Sequence, residues 1–470
     1  MKSFSRLTAL AALLFYLGLD GMSFSQTTST SSPDWMTRPL SLLDAVNVAL
    51  EQNATILKAQ NDFTATSGLI IQTRAVALPQ LTASGQYKDT EPTAIETLPI
   101  SLPAPEVFQQ AHQSWSAGFQ LVQTIYGGGK LMAAIKAARL TKDQARANYE
   151  TVVQDTLLNT RTAYYDALLA REQITVHEAS VKLLQNELND QRRRYKAGTV
   201  PEFNVLRAEV QLANEQPLLI QARNSYRIAK NDLSNLLGYN LPTNVWEDIP
   251  LDLSDKLDAR PYAVDLPSAI ERALQTRTEL VSLQKAEALR KLNIVNARSG
   301  YKPTLQVFAG YNWFNAQYAV PPATPPLNLQ QDFHGYNAGA QVSWDIFDGL
   351  LTRGKVIQAR ADYDKSRNDL ADEIRQIELQ VRTAYSDFVE AREVLDSQKT
   401  VLAEADEALR EARARFDAGT GTQLDVLDAE TSLTQSRATN AQALHDYDTA
   451  RAKLQRAIGQ NMIQTVQASP

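Results

Sequence analysis

One stretch of this chain occurs twice. Residues 195–238 (YKAGTVPEFNVLRAEVQLANEQPLLIQARNSYRIAKNDLSNLLG) and 416–459 (FDAGTGTQLDVLDAETSLTQSRATNAQALHDYDTARAKLQRAIG) align without a gap at an offset of 221, with 14 identities in 44 positions. A repeat of this length constrains the fold before any local propensity does, because the chain must build two related halves. Each copy opens on a small-residue turn, Ala197-Gly198-Thr199 and Ala418-Gly419-Thr420, runs on in a helical pattern and closes on Gly.

The flanking sequence repeats as well. Residues 42–75 and 266–296 carry helical spacing, stopped by Pro79 and Pro303. A switch to period two follows. Leu81, Ala83, Gly85 and Tyr87 alternate with Thr82, Ser84 and Gln86, then Trp115, Ala117, Phe119 and Leu121 with Ser116, Gly118 and Gln120. In the second half Leu305, Val307, Ala309, Tyr311 and Trp313 share a face, as do Ala338, Ala340, Val342, Trp344 and Ile346. Four strands are predicted, over about 79–90, 113–126, 303–318 and 335–348, with Pro-rich loops at 91–110 and 320–326 between the members of each pair.

From Leu131 to Lys196 there is neither Pro nor Gly for 66 residues. As one helix this spans about 99 Å, far beyond the usual dozen residues. The counterpart, Leu351 to Asp417, has a seam of alternating three- and four-residue steps: Leu370, Ile374, Ile377, Val381, Ala384, Phe388, Ala391, Leu395, Gln398, Leu402, Ala405, Leu409, Ala412 and Phe416. A 3.5 repeat implies a left-handed coiled coil. Pro217 predicts a kink in the helix after the first turn.

The boundaries read as a signal peptide over 1–25, a linker over 26–41, repeats over 42–238 and 266–459, a connector over 239–265 and a tail over 460–470. The apolar run Leu7–Leu19 behind Lys2 and Arg6 is too short to span a membrane, and small residues follow it. No other run is long enough for a membrane helix. A net charge of -6 gives no basic footprint for nucleic acid. There is no Cys, and the four His lie without metal-ligand spacing, so no cofactor or metal is expected. Gly127-Gly128-Gly129-Lys130 lacks the earlier Gly and the Ser/Thr of a phosphate loop, and no nucleophile–base constellation exists. The chain does not read as an enzyme.

Strands of about ten residues, apolar on one face and polar on the other, have the pattern of membrane β-strands. A sheet in lipid must close, and four strands fall short of the roughly eight a barrel needs. The expected fold is therefore mainly α with a transmembrane β portion, built from duplicated helix–strand–strand–long helix–turn–helix halves. Three copies would complete a twelve-stranded barrel, continued by an α-helical coiled-coil barrel; dimers or tetramers close by the same logic. A periplasmic coiled-coil adaptor or structural protein without a pore is the rival, supported by the heptad seam alone.

The YxAGT turn, the VLxAExxL run (Val205, Leu206, Ala208, Glu209, Leu212; Val426, Leu427, Ala429, Glu430, Leu433), Tyr226/Tyr447 and the closing Gly238/Gly459 resemble the TolC family of outer-membrane efflux proteins. The likeness covers nearly the whole chain after the leader. It implies a homotrimer in outer-membrane lipid with its helical part in the periplasm. It also implies a periplasmic adaptor (membrane fusion) protein and an inner-membrane pump or ABC transporter as partners, in efflux or type I secretion. The two turns, Ala197, Gly198, Thr199 and Ala418, Gly419, Thr420, then form the adaptor-docking tip. Asp425 and Asp428 take the position of the family's acidic constriction, although Thr422-x-x-Asp425 also reads as a capping box. The family's lock between a base after the second turn and an acid of the first copy falls here on Gly421 and Asn204. Arg207, the repeat partner of Asp428, is a candidate to pair with an acid of the other hairpin instead.

Overall fold

The computed structural model describes residues 38–90, 113–239, 249–320 and 327–461. The leader, both Pro-rich loops, the start of the connector and nearly all of the tail lie outside them.

Two helices of 67 residues dominate, α3 (Lys130–Lys196) and α7 (Leu351–Asp417). Each turns back into a 35-residue helix, α4 (Glu202–Leu236) and α8 (Gln423–Ala457). α4 runs unbroken through Pro217. The segments expected as single helices at 42–75 and 266–296 are each two: α1 (Leu42–Gln52) with α2 (Ala54–Ala75), and α5 (Leu266–Thr276) with α6 (Thr278–Arg298).

The two breaks, at Asn53 and Arg277, sit 224 residues apart at matching places in the repeat, and both residues are extended (ψ 125 and 123). Neither is Pro or Gly. What breaks the helix is a tertiary reward. The Asn53 carboxamide oxygen accepts from Thr55 N–H at 2.8 Å and Ile56 N–H at 3.3 Å, capping α2. Its Nδ2 donates to the Leu236 carbonyl at the end of α4 at 2.6 Å. One buried side chain thus joins two helices end to end. Arg277 does the matching work with Nη1 on the Ala457 carbonyl at 3.3 Å, while Thr276 Oγ1 donates to the Ile458 carbonyl at 3.0 Å. The closing glycines permit the approach: a Cβ on Gly238 (φ +80) would stand 2.4 Å from the Gln52 carbonyl oxygen, and one on Gly459 (φ +77) 2.4 Å from Thr276 Oγ1.

The packing order is four columns: α2 stacked with α4, then α3, then α6 stacked with α8, then α7. The heptad seam forms the interior of the second half, with Ile377, Val381, Phe388, Leu395 and Leu409 buried. Two equivalent cores hold the junctions. One gathers Tyr164, Leu168, Leu233, Leu237 and the connector residues Leu251 and Leu253; the other gathers Phe388, Tyr447, Leu454 and Ile458. Leu233 and Leu454, one repeat apart, are both fully buried, each stabilising by about 1.5–3 kcal/mol. The N-terminal segment is tied to the connector by a parallel bridge between Leu40 and Leu253, and the Tyr164 hydroxyl donates to the Leu40 carbonyl at 2.9 Å.

At one end of the columns lies a four-stranded antiparallel sheet in the order β1 (Gln80–Asp89), β2 (Gln113–Gly127), β3 (Thr304–Val320), β4 (Leu327–Ser343). The fourth strand begins earlier than the alternation implied and stops at Ser343, five residues short of 348. Asp348 is committed to α7, accepting from Thr352 N–H at 2.8 Å, so residues 344–350 form the link into that helix and do not extend the strand. Register aligns the faces: Ala83, Phe119, Tyr311 and Tyr336 form one row, and Thr82, Gln120, Gly310 and Asn337 a row on the other side. Trp115 and Trp313 meet edge to face at 5.1 Å on the apolar side. The polar side also carries Phe314 opposite Phe333. Strands β1 and β4 are edges with no further partner strand among the described residues.

Candidate functional site

The ends of the two helical hairpins lie together, opposite the sheet. α3 stops because Gly198 takes φ +71: Gly198 N–H bonds the Tyr195 carbonyl at 2.9 Å and Thr199 N–H the Arg194 carbonyl at 2.9 Å. This double closure satisfies carbonyls that the helix end would leave orphaned. Gly419 (φ +75) repeats it with Phe416 at 3.1 Å, and Thr420 with Arg415 at 2.9 Å. A Cβ at Gly198 or Gly419 would touch nothing within 4 Å, so the backbone angle alone requires glycine there. Ala197, Gly198, Thr199, Ala418, Gly419 and Thr420 are all exposed.

Beyond the turns the copies diverge. Gly421 N–H adds a third bond to the Arg415 carbonyl at 3.0 Å. A Cβ there would crowd Arg415 Cβ and Phe416 N at 3.1 Å, so the position that carries a base in the family lock favours a small residue here. Thr422 and Asp425 form a capping box: Thr422 N–H donates to Asp425 Oδ2 at 2.8 Å, and Asp425 N–H to Thr422 Oγ1 at 3.2 Å. The Thr422 backbone bond holds the Asp425 carboxyl below the usual range. Asp425 and Asp428 are exposed. In the first hairpin Pro201 occupies the cap position without a side-chain bond.

The residues expected to bridge the hairpins do so unequally. The Asn204 carbonyl accepts from the buried Gln423 Nε2 at 3.1 Å, so the crossing uses backbone at this position. Arg207 lies over its own neighbour, the Phe203 ring, at 5.1 Å; among the described residues it has no ion pair. The ion pair that crosses is Arg194 with Asp417 at 2.9 Å. Arg194 also holds Asp190 at 2.7 Å and lies over the Phe416 ring at 4.8 Å. Burial works to raise the Asp190 pKa, but hydrogen bonds from Arg193 and Arg194 outweigh it and keep the carboxyl low.

The repeated Glu of the VLxAE run clamps each hairpin. Glu209 meets Arg192 at 2.6 Å and Glu430 meets Arg413 at 2.8 Å. Both arginines stand 17 residues before their partner, a symmetry visible in the sequence once the repeat is aligned. Only the second clamp has a buried acid: the Glu430 side chain is 2% exposed against 41% for Glu209. Burial raises the Glu430 pKa. The hairpins also share apolar residues, since Leu427 of α8 enters the cluster of Leu184, Leu188, Val205 and Leu212, while Leu183 of α3 joins that of Leu409, Val426 and Leu433. No group of acids and histidines placed to hold a metal occurs among the described residues.

A protomer with an open amphipathic sheet at one end of four long helical columns and paired hairpin turns at the other defines the class of outer-membrane efflux channels. The chain belongs to the outer membrane efflux protein family, whose sequence profile matches residues 45–239 and 269–460. It is similar to outer membrane protein TolC of Escherichia coli, 24% identical over 454 residues that cover 94% of this chain and 85% of that protein. It is 25% identical over 402 residues to the cobalt-zinc-cadmium resistance protein CzcC of Cupriavidus metallidurans, covering 85% of each. The fold matches that of the Campylobacter jejuni CmeC outer membrane channel with a TM-score of 0.72 at 15% identity, over 91% of this chain and 88% of that one. Proteins of this family are transport proteins, not enzymes.

Proposed function

We propose that the protein is the outer-membrane exit duct of a tripartite efflux or type I secretion system. It passively conducts cargo delivered by a periplasmic adaptor and an inner-membrane pump or ABC transporter. The observation that carries this reading is the open four-stranded sheet, mainly apolar and aromatic on one face and mainly polar on the other, at one end of the helical columns. Such a sheet in lipid must lose its edges. Pairing β4 of one copy with β1 of the next closes it, and three copies bring twelve strands, enough for an open lumen.

The helices support the same assembly. The outer columns, α4 and α7, carry exposed apolar side chains, among them Leu206 and Val210 on α4 and Leu379 and Val394 on α7. Side-by-side packing of copies covers them and continues the barrel as a helical cylinder in the periplasm. The hairpin tips then form its far end. The exposed turns at Ala197–Thr199 and Ala418–Thr420 are the adaptor contact, and Asp425 and Asp428 of three copies set six carboxylates around the narrowing, which favours cations. Asn204, through its backbone, joins the hairpins at this gate, and Arg207 lines it.

The test is bilayer conductance of the purified full-length protein, together with its mass in detergent. Discrete cation-preferring channels from a trimer are expected. Recovery in the soluble periplasmic fraction without conductance would replace the duct with the pore-free adaptor.

A further inference from the structure

The four places where sheet meets helix share a charge pattern that conduction does not require. The whole chain has a net charge of -6. Yet the membrane-proximal turns of every column contain no acid: none follows Asp62 in α2 or Glu287 in α6, and none precedes Asp143 in α3 or Asp362 in α7. At the sheet-side ends of these helices, or in the links to the sheet, stand Arg74, Lys130, Arg298, Lys302, Arg353 and Lys355, all exposed. None of the six has an ion pair among the described residues. The acids at this level are Asp345 and Asp348 in the link before α7, and Asp348 is bound to the Thr352 N–H.

Helix stability does not account for these bases. α3 and α7 begin here, and the positive end of the helix macrodipole favours acids in a first turn. Both first turns have none, and neither N-cap residue, Gly129 or Leu350, makes a side-chain bond; the one carboxylate at these helix starts is Asp348, which takes the Thr352 N–H of α7. Lys130, Arg353 and Lys355 therefore stand where the backbone field opposes them. Arg74 and Arg298 sit at helix C-termini, where the dipole welcomes them, and carry less weight. Immediately on the sheet side of this band, Leu78, Ile125, Tyr301, Trp344, Ile346 and Phe347 are exposed, and the Trp344 indole donates to the Tyr301 carbonyl at 3.3 Å. An apolar and aromatic belt bordered by bases matches the boundary between acyl chains and headgroups.

We propose that this band is a lipid-binding surface that selects anionic phospholipid in the periplasmic leaflet, with Lys130, Arg353 and Lys355 holding headgroup phosphates. The assignment rests on the barrel reading and adds a lipid class to it. Bases at a membrane surface attract anionic lipid over distances of about a Debye length.

The experiment uses full-length protein whose only tryptophan is Trp344, reconstituted in phosphatidylcholine vesicles. Equal fractions of brominated phosphatidylglycerol or brominated phosphatidylcholine serve as quenchers. The phosphatidylglycerol form is expected to quench Trp344 about twofold more strongly. The preference should vanish in the Lys130→Gln/Arg353→Gln/Lys355→Gln variant and at high salt, and be absent when the only tryptophan is Trp115, at the other end of the sheet. Equal quenching by both lipids overturns the proposal but leaves the barrel intact. Quenching by neither lipid overturns the barrel reading itself. A triple variant that shifts the ion selectivity of conductance while keeping the lipid preference places the bases in the lumen and also overturns the proposal.

Discussion

Replacing Asp417 with Asn cuts the ion pair that, among the described residues, crosses between the hairpins at their tips. The pair is at 2.9 Å, with Arg194 34% and Asp417 68% exposed. At that exposure an ion pair contributes only about 0.5 kcal/mol. In the trimeric gate proposed above, opening would break three such pairs at once, about 1.5 kcal/mol, which would shift the open-to-closed ratio about tenfold. Single-channel recording in planar bilayers reads this directly. Open probability should rise about tenfold in Asp417→Asn at low salt, and by less at high salt where the pair is already screened. Arg194→Ala should do more, because Arg194 also binds Asp190 and covers Phe416. The exchange Arg194→Asp/Asp417→Arg should recover part of the closed state. Arg207→Ala should leave it unchanged, since Arg207 lies on Phe203. An unaltered open probability in Asp417→Asn, with opening in Arg207→Ala, would refute the reasoning and return the latch to Arg207.

Three further outcomes follow from the same geometry. Asn53→Ala removes a cap and leaves the Leu236 carbonyl unmet, a loss of about 2–3 kcal/mol; hydrogen exchange at the Thr55 and Ile56 amides should accelerate by roughly 30- to 150-fold, and Asn53→Asp should still fail because a carboxylate cannot donate to Leu236. Gly198→Ala bears only the strain of positive φ, about 1 kcal/mol, whereas Gly238→Ala adds a collision with the Gln52 carbonyl and should lower the thermal midpoint by circular dichroism far more. His445 sits between Asp166 at 2.7 Å and Asp446 at 2.9 Å; burial lowers its pKa, but the two carboxylates outweigh this and raise it. Its contribution is full below the unfolded value of about 6.5 and is lost as pH rises through the raised folded value. The thermal midpoint of the wild type should therefore fall across that window relative to His445→Gln, and parallel curves would sink this assignment.

Much of the architecture was legible because it is local and periodic. Alternation in 81–87 and 305–313 named the strand faces, the seam from Leu370 to Phe416 named the buried stripe of α7, and the offset of 221 announced two halves. These patterns depend on neighbours within a turn or a strand, which the sequence itself supplies. The site was legible only in outline. The turns lie at the hairpin ends and Asp425 forms its capping box, but within the protomer Arg207 lies on Phe203 and the charge that crosses is Arg194, which no motif marks. Glu209 and Glu430 were visible as motif letters, while their arginine partners emerge only when the two copies are laid over each other.

By itself the sequence determined the number of halves, the lengths of the long helices, the faces of the strands and the positions of the turns, since each is set by propensity and period along the chain. Only the tertiary structure decided where the short helices break, which charge crosses the tip and which of two equivalent Arg–Glu clamps has the buried acid. Asn53 leaves helical geometry for a carbonyl 183 residues away. Arg194 pairs with an acid 223 residues away as well as with Asp190 of its own turn. Such choices are made by desolvation and by partners brought close by folding. A linear pattern, which records only neighbours, holds no trace of them.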